Sequence, residues 1–136
     1  MNNRITPEVI TELKENEIFV FGSNLVGRHG MGAANIAYKK FGAIYGCGIG
    51  IQGKTYAIPT KDFWFKILPI KDIKIYVDSF IESAKLFPDK IFLVTKIGCG
   101  LSGYEPKDIA PLFKEAIDLE NVYLSIDFWN ILKGDS

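Results

Sequence analysis

The chain has 136 residues, of which 48% are hydrophobic and 24% charged, a composition typical of one folded domain rather than a disordered protein. Sixteen Lys and Arg balance sixteen Asp and Glu, so the formal charge is zero and binding along an extended nucleic acid is not expected. No apolar run is long enough to cross a membrane and the first residues lack the apolar core of a signal peptide, so we expect a single cytoplasmic domain over residues 1–136.

The cysteine and histidine content is low. Cys47 and Cys99 are too few for a disulfide framework, and we expect two reduced thiols. With His29 as the one histidine, the spacing of a zinc finger is absent. The sequence therefore predicts neither a bound metal nor a cofactor.

Hydrophobic periodicity and the positions of Gly and Pro predict the secondary structure. Continuous apolar runs indicate strands buried on both faces, and apolar residues at helical spacing indicate amphipathic helices. Pro7 and Pro111 are placed in first turns of helices, where a missing N–H is tolerated. In chain order, the elements are a helix over residues 6–15, a strand over 18–21, a helix over 33–41, a hairpin of 49–51 with 55–58, a long helix from 70 that ends before Pro88, a strand over 91–94, a helix over 109–117 and a last strand over 121–128. This alternation predicts a layered α/β domain with a mainly parallel central sheet.

Glycine clusters are the most informative feature of the sequence. Nine of the thirteen glycines lie between residues 22 and 53, and three more between 98 and 103. The clusters at 22–32 and 98–103 each follow a predicted buried strand and lead into a helix, so we expect both at one edge of the sheet. Their backbone N–H groups and the helix dipoles would form a site for a diphosphate or a similar anion. The alternative is that these glycines serve only tight packing.

Three short motifs resemble known sites but lack the context that those sites need. Residues 48–55 fit the phosphate-loop pattern G-x-x-x-x-G-K-[ST], yet the β-type residues and Pro59 that follow disfavour the required helix. Residues 28–30 read Arg-His-Gly, as in histidine phosphatases, but the chain has no second histidine. Residues 46–50 lack the G-x-G-x-x-G spacing and the strand-to-helix context of a dinucleotide-binding loop.

The order of the glycine segments resembles that of a macrodomain, the α/β fold that binds ADP-ribose, over about residues 18–128. Residues 18–24 (IFVFGSN) are similar to the macrodomain strand that ends in an asparagine facing the distal ribose. Residues 25–34 are similar to the first glycine loop with its helix, and residues 97–104 (IGCGLSGY) to the loop that holds the diphosphate. The resemblance implies a three-layer α/β fold in which helices flank a mainly parallel central sheet.

Residues 57–64 (AIPTKDFW) sharpen the resemblance. They are similar to the Pro-Thr-Lys-x-x-Trp segment of DarG-type antitoxin macrodomains, which remove ADP-ribose from DNA bases, and to short phage and bacterial macrodomain-like proteins. In the antitoxin family the matching lysine is catalytic, so the resemblance points to Lys61. Without the resemblance, Lys61 is more simply a solvated loop lysine.

If ADP-ribose lies along this edge of the sheet, the chemistry of its cleavage suggests roles for further residues. The catalytic candidates are Lys61, Asn24 and His29: Lys61 would attack the anomeric carbon, Asn24 would face the distal ribose, and His29 or Asp62 would move protons. Phe128 or Trp129 would stack on adenine, unless both rings pack in the core. The predicted ligand-binding residues are Ser23, Asn24, Gly27, Gly30, Gly32, Gly98, Cys99, Gly100, Leu101, Ser102, Gly103, Tyr104 and Phe128.

Two functions follow from this resemblance. The first is an ADP-ribosyl glycohydrolase, which binds ADP-ribose or an ADP-ribosylated macromolecule and hydrolyses the linkage. The second is a binding module that recognises or sequesters ADP-ribose-type nucleotides without turnover. Neither function involves a membrane.

Overall fold

The structure is a computed structural model that describes residues 3–100 and 103–133. Its elements are, in chain order, β1 (Glu17–Asn24), α1 (Gly32–Lys40), β2 (Gly50–Gln52), β3 (Thr55–Lys61), α2 (Ile70–Leu86), β4 (Ile91–Val94), α3 (Pro106–Ile109), a 3-10 helix (Ala110–Ala116), β5 (Val122–Tyr123) and α4 (Ile126–Leu132). The predicted hairpin, the strands at 18–21 and 91–94, and the helices at 33–41 and from 70 are confirmed. In the described part of the chain, no helix has the length and apolar character needed to span a membrane.

One sheet organises the molecule, with strand order β2-β3-β1-β4-β5. β1 runs parallel to β3 on one side and to β4 on the other, and β5 continues the parallel part, whereas β2 is antiparallel to β3. Because β1 is central and covered on both faces, its run Ile18–Phe21 is buried throughout. The expected α/β fold with a mainly parallel sheet is therefore confirmed.

Two hydrophobic cores lie on opposite faces of the sheet. On the larger one, α2 places Phe80 against Tyr56 and Phe92, with ring centroids 5.1 and 5.5 Å apart. On the smaller one, α1 packs over Phe19 and Phe21 of β1. This layering of helices on both faces holds the carboxyl ends of β1, β3 and β4 at one edge.

The N-terminal segment departs from the prediction, because residues 6–15 form no helix. Ile5 forms a parallel bridge with Leu124, and the Thr6 N–H donates to the Leu124 carbonyl at 2.9 Å. Ile10 and Leu13 then pack against the smaller core. The prediction was wrong because pairing with a distant segment and burial of two apolar side chains outweigh the weak local helix signal.

The end of the chain also differs from the predicted strand over 121–128. The strand stops at Tyr123, and α4 begins because the Ser125 hydroxyl caps it by accepting the Phe128 N–H at 3.2 Å. Phe128 has no exposed surface and packs on Phe113, with ring centroids 5.8 Å apart. The predicted stacking of Phe128 on adenine is therefore wrong.

Trp129 is also part of the packed core. Its ring is 97% buried, its Nε1–H donates to the Arg4 carbonyl at 2.6 Å, and the Arg4 guanidinium lies over it at 5.0 Å. Both aromatic residues thus take the packing alternative that the sequence left open.

The helix predicted over 109–117 is mostly a 3-10 helix. A capping box formed by Glu105 and Asp108 starts α3, and the 3-10 helix takes over at Ala110. Pro111 has no N–H for an α-helical hydrogen bond to the carbonyl four residues earlier, which favours this change of helix type.

Candidate functional site

The segments that follow β1, β3 and β4 meet at the carboxyl edge of the parallel strands. A Cβ placed on Gly22 would lie 3.5 Å from the Gly98 nitrogen, so the two glycine segments are direct neighbours. The Tyr104 hydroxyl, at the end of the second segment, donates to the Leu68 carbonyl of the β3–α2 loop at 2.7 Å. The expectation that both glycine segments lie at the same edge is confirmed.

Asn24 ends β1 and shapes the first glycine segment. Its Oδ1 accepts the N–H groups of Gly27 and Arg28 at 2.8 and 2.9 Å, and its Nδ2 donates to the Arg28 carbonyl at 2.9 Å. One Nδ2 hydrogen remains for a ligand. The main role of Asn24 is therefore to position the loop, and a contact with a ribose would use the remaining Nδ2 hydrogen.

Ser23 and Gly27 hold a supporting loop, residues 46–48, rather than facing outward. A Cβ on Gly27 would lie 2.3 Å from the Cys47 nitrogen, and its φ of +82° favours glycine. The Ser23 hydroxyl is buried and donates to the Gly48 carbonyl. Ser23 and Gly27 were predicted to contact the ligand, but they instead allow the first glycine segment and residues 46–48 to pack closely.

His29 lies beneath the first glycine segment, with only 1% of its surface exposed. Its Nε2 is 2.9 Å from the Ile44 carbonyl and 3.1 Å from the Cys47 carbonyl, and because both partners accept, Nε2 carries the proton. Its ring packs edge-on against Phe21 at 5.3 Å. The predicted proton-transfer role is wrong, because the imidazole is sealed inside the fold and its Nε2–H is used there.

The start of α1 is open. Gly30 precedes this helix and Gly32 begins it, and in the part of the chain that the structure describes no atom lies within 4 Å of a Cβ placed on either. No side chain caps the helix and no acidic residue lies in its first turn. The first N–H groups of α1 therefore have no partner within the helix, and the dipole there favours a negative group.

The second glycine segment is tied by its own hydrogen bonds. The Gly100 N–H donates to the Tyr104 carbonyl, the Gly103 N–H to Gly100 and the Tyr104 N–H to Gly98, at 2.9 to 3.1 Å. The predicted grip on a diphosphate by these three amides is therefore not available in this conformation. Leu101 and Ser102, also predicted to bind the ligand, lie outside the described residues.

Gly100 differs from the other glycines of its segment. A Cβ on Gly98 or Gly103 would press on Ile109 or Ile67, at 3.0 and 2.4 Å, whereas one on Gly100 would meet no atom of the described residues within 4 Å. All three have positive φ. Gly98 and Gly103 thus allow the segment to pack closely against the rest of the fold, whereas the side of Gly100 that a Cβ would occupy is open.

Lys61 ends β3 directly beside Asn24, with which it is paired across the two strands. Its carbonyl accepts the Leu25 N–H at 3.0 Å, which fixes the backbone of both chain segments. Among residues 3–100 and 103–133, no carboxylate lies within ion-pair distance of the Lys61 ammonium. The structure thus brings the backbones of Lys61 and Asn24 side by side.

Asp62 organises the loop after Lys61. Its Oδ1 accepts the N–H groups of Trp64 and Lys66 at 2.8 and 2.9 Å, which makes a tight turn. These hydrogen bonds to Oδ1 stabilise the loop, and the predicted proton transfer by Asp62 would use Oδ2.

The tip of this loop is aromatic and was missed by the sequence analysis as part of the site. Phe63 and Trp64 are 58% and 75% exposed, and Phe65 has a φ of +61°, a strained value for a residue other than glycine. The Arg28 guanidinium lies 5.4 Å from the Phe65 ring centroid and joins this tip to the first glycine segment. The signal in the sequence was the run of three aromatic residues after Asp62.

Two groups near the second glycine segment have altered pKa values. Burial raises the pKa of the Cys99 thiol to about 11, despite the opposing effect of the Lys96 charge. A hydrogen bond and ion pair with Asp127, at 3.2 Å, raise the pKa of Lys96. In the residues that the structure describes, no group of three or more His, Cys, Asp or Glu side chains could hold a metal ion.

Comparison with known proteins gives one structural likeness. No family model matches the sequence, and no curated protein matches it. A solved structure of Thermosipho africanus DarTG in complex with ADP-ribose resembles 83% of the chain with a TM-score of 0.57 and 22% sequence identity. The chain spans 39% of the length of that DarTG chain. Together with the sheet order and the two glycine segments at one edge, this likeness shows that the chain has a macrodomain-like fold.

Proposed function

We propose that this chain binds ADP-ribose, free or attached to a macromolecule, at the carboxyl edge of β1, β3 and β4. The observation that carries the proposal is the meeting of three segments there, seen in the approach of Gly22 to Gly98 and in the Tyr104–Leu68 hydrogen bond. The similar DarTG structure holds ADP-ribose, which supports the same class of ligand here.

The electrostatics of this edge suit a diphosphate. The open start of α1 offers N–H groups and the positive end of its dipole, with no carboxylate in its first turn. Arg28, four residues before the first residue of α1, adds a cation, and the open sides of Gly30 and Gly100 leave room for close approach of a ligand. These features attract an anion without the broad positive surface that a long nucleic acid requires.

The reaction that fits the site is hydrolysis of an ADP-ribosyl linkage, with Lys61 as the nucleophile. The Lys61 amine donates its lone pair to the anomeric carbon, the bond to the departing group breaks, and that group leaves with the bonding electrons and takes up the proton that the newly bonded Lys61 nitrogen loses. Water then attacks the same carbon, the carbon–nitrogen bond breaks, and a proton from the water passes to the Lys61 nitrogen, which releases ADP-ribose and restores the amine. The one Nδ2 hydrogen of Asn24 that the loop does not use would donate to a ribose hydroxyl group.

A binding module without turnover is the second candidate, and one observation favours it. His29 is sealed in the fold, so its side chain is not available to transfer protons, and the Asp62 Oδ1 is used in the loop turn. Of the two proton-transfer candidates, the Asp62 Oδ2 alone would then be left to assist Lys61.

Release of ADP-ribose separates these two functions. Wild type, Lys61→Ala and the matched control Lys66→Ala are incubated with ADP-ribosylated DNA and with ADP-ribosylated protein, and free ADP-ribose is measured. Hydrolysis by Lys61 predicts release by wild type and Lys66→Ala, and a loss of about 100-fold or more in Lys61→Ala with ADP-ribose binding retained. Binding without release by all three proteins would establish the module, and release by Lys61→Ala at the wild-type rate would contradict the role of Lys61.

A further inference from the structure

The outer edge of the sheet, formed by β2 and the loop before it, carries an uncharged apolar surface. None of the thirteen residues 41–53 is charged, although 24% of the whole chain is. Ile44, Tyr45, Ile49 and Ile51 are each 49% to 56% exposed, and the Tyr38 ring of α1 lies 5.6 Å from the Tyr45 ring. We call these five residues the edge surface. Edge strands of monomeric proteins are ordinarily short, charged or covered; β2 is short, with three residues, but it carries no charge and its Ile51 is exposed.

Two buried polar side chains hold the edge surface in shape. The Gln52 side chain accepts the Ile44 N–H at 2.7 Å and donates to the Cys47 carbonyl at 3.0 Å. His29 donates to the Ile44 and Cys47 carbonyls from the other side. Because the loop is fixed by these contacts, a partner would order little additional chain on binding.

The backbone of β2 is also available at this edge. Gln52 and Thr55 form the hydrogen-bonded pair that closes the two-residue turn between β2 and β3. Since residues alternate along an antiparallel pair, the N–H and C=O of the preceding residue, Ile51, point away from β3. The outermost strand thus presents one donor and one acceptor flanked by apolar side chains.

We propose that a second copy of this chain docks on the edge surface, with the two β2 strands antiparallel about a two-fold axis beside Ile51. A two-fold axis places each Ile51 opposite its counterpart, so that each donates its N–H to the other and accepts in return. The two uncharged surfaces then bury no ionised group, whereas a charged partner would lose hydration without gaining an ion pair. The two five-stranded sheets become one continuous sheet.

The area of the edge surface is close to the lower limit for a stable dimer. Five half-exposed large side chains supply roughly 500 Å² of apolar area per copy, and stable interfaces bury from about 600 Å² per partner. The adjoining backbone brings the contact to the lower end of that range. We therefore expect a dissociation constant of about 1 to 50 µM. This proposal does not depend on the ligand site, which lies at the carboxyl ends of the parallel strands.

Sedimentation equilibrium over a range of concentrations tests the proposal, with circular dichroism to check folding. Wild type is expected to dimerise, and Ile51→Lys, which sets two ammonium groups opposite each other, to weaken the dimer by about 30-fold or more. The matched control is Ile75→Lys on α2, also an exposed isoleucine but outside the edge surface, and it should dimerise as wild type does. A monomeric wild type at about 200 µM, or a dimer unaffected by Ile51→Lys, would overturn the proposal.

Hydrogen exchange on wild type decides the matter if Ile51→Lys fails to fold. The Ile51 amide should become protected as the protein concentration rises through the dissociation constant, because its N–H is bonded only in the dimer. Protection that does not change with concentration would also overturn the proposal.

Discussion

The guanidinium carbon of Arg28 lies 5.4 Å from the centroid of the Phe65 ring. Arg28 belongs to the segment after β1 and Phe65 to the segment after β3, and these segments begin at Asn24 and Lys61, which are paired side by side. This cation–π contact adds to the Leu25–Lys61 backbone hydrogen bond in joining the two loops that carry the candidate reactive groups.

Replacing Arg28 tests whether this contact organises the ligand site. Arg28→Lys keeps the charge but loses the planar group that covers the ring, so the affinity for ADP-ribose should fall by about 3- to 10-fold. Arg28→Ala should lose more, because the positive charge is also removed. Calorimetric titration of the three proteins measures this, and wild-type affinity in Arg28→Ala would show that neither the contact nor the charge matters.

The strained backbone at Phe65 predicts a difference between two substitutions that remove the same ring. At a φ of +61°, alanine retains the steric penalty that glycine avoids. Phe65→Gly should therefore be more stable than Phe65→Ala by about 1 kcal/mol, measured by urea denaturation. Equal stability of the two variants would mean that the loop relaxes and stores no strain.

Cys99 should resist alkylation. Burial raises its pKa to about 11, so at pH 8.5 less than about 1% is thiolate, and iodoacetamide should modify it about 100-fold more slowly in the folded protein than in urea. Above the ordinary thiol pKa the unfolded state loses this proton first, so the free energy of unfolding should fall as the pH rises toward 11. Mass spectrometry of a Cys47→Ser variant isolates the Cys99 reaction, and equal rates in folded and unfolded protein would contradict the burial.

Substitution of Phe128 is expected to lower the stability of the fold rather than the affinity for ligand. Because its ring is fully buried against Phe113, Phe128→Ala should lower the free energy of unfolding by about 3 to 5 kcal/mol. The control Phe63→Ala removes an exposed ring and should change stability by about 0.5 kcal/mol or less. If Phe128→Ala kept full stability and lost only ADP-ribose affinity, the ring would belong to the ligand site after all.

The sequence predicted the central elements because their signals are strong and local. The apolar run at 18–21 is sufficient by itself to predict β1, and the helical spacing from Ile70 is sufficient to predict α2. The parallel arrangement of β1 and β4 follows from the alternation of strands and helices. The first helix failed because the bridge between Ile5 and Leu124 joins the two ends of the chain. No local pattern contains that contact.

The sequence predicted that the two glycine segments meet at one edge of the sheet, but it predicted the roles of the individual residues only in part. Glycine clusters after buried strands locate the edge, since strand direction fixes where both segments emerge. The burial of His29 depends on carbonyls of residues 44 and 47, and the use of the Gly100 amide depends on Tyr104, so neither could be derived from residue type. Side-chain roles need the loop conformations, which the sequence leaves open.

The claim that an anionic ligand lies against the open side of Gly100 is tested most directly by a pair of variants of equal shape. Asn and Asp both tolerate the φ of +73° at this position, and a Cβ there meets no atom of residues 3–100 and 103–133 within 4 Å, so Gly100→Asn and Gly100→Asp differ chiefly in one negative charge. Calorimetry with ADP-ribose should show Gly100→Asn within about threefold of wild type and Gly100→Asp weaker by about 30-fold or more. Equal affinities for the two variants, or a wild type that does not bind ADP-ribose, would contradict the account.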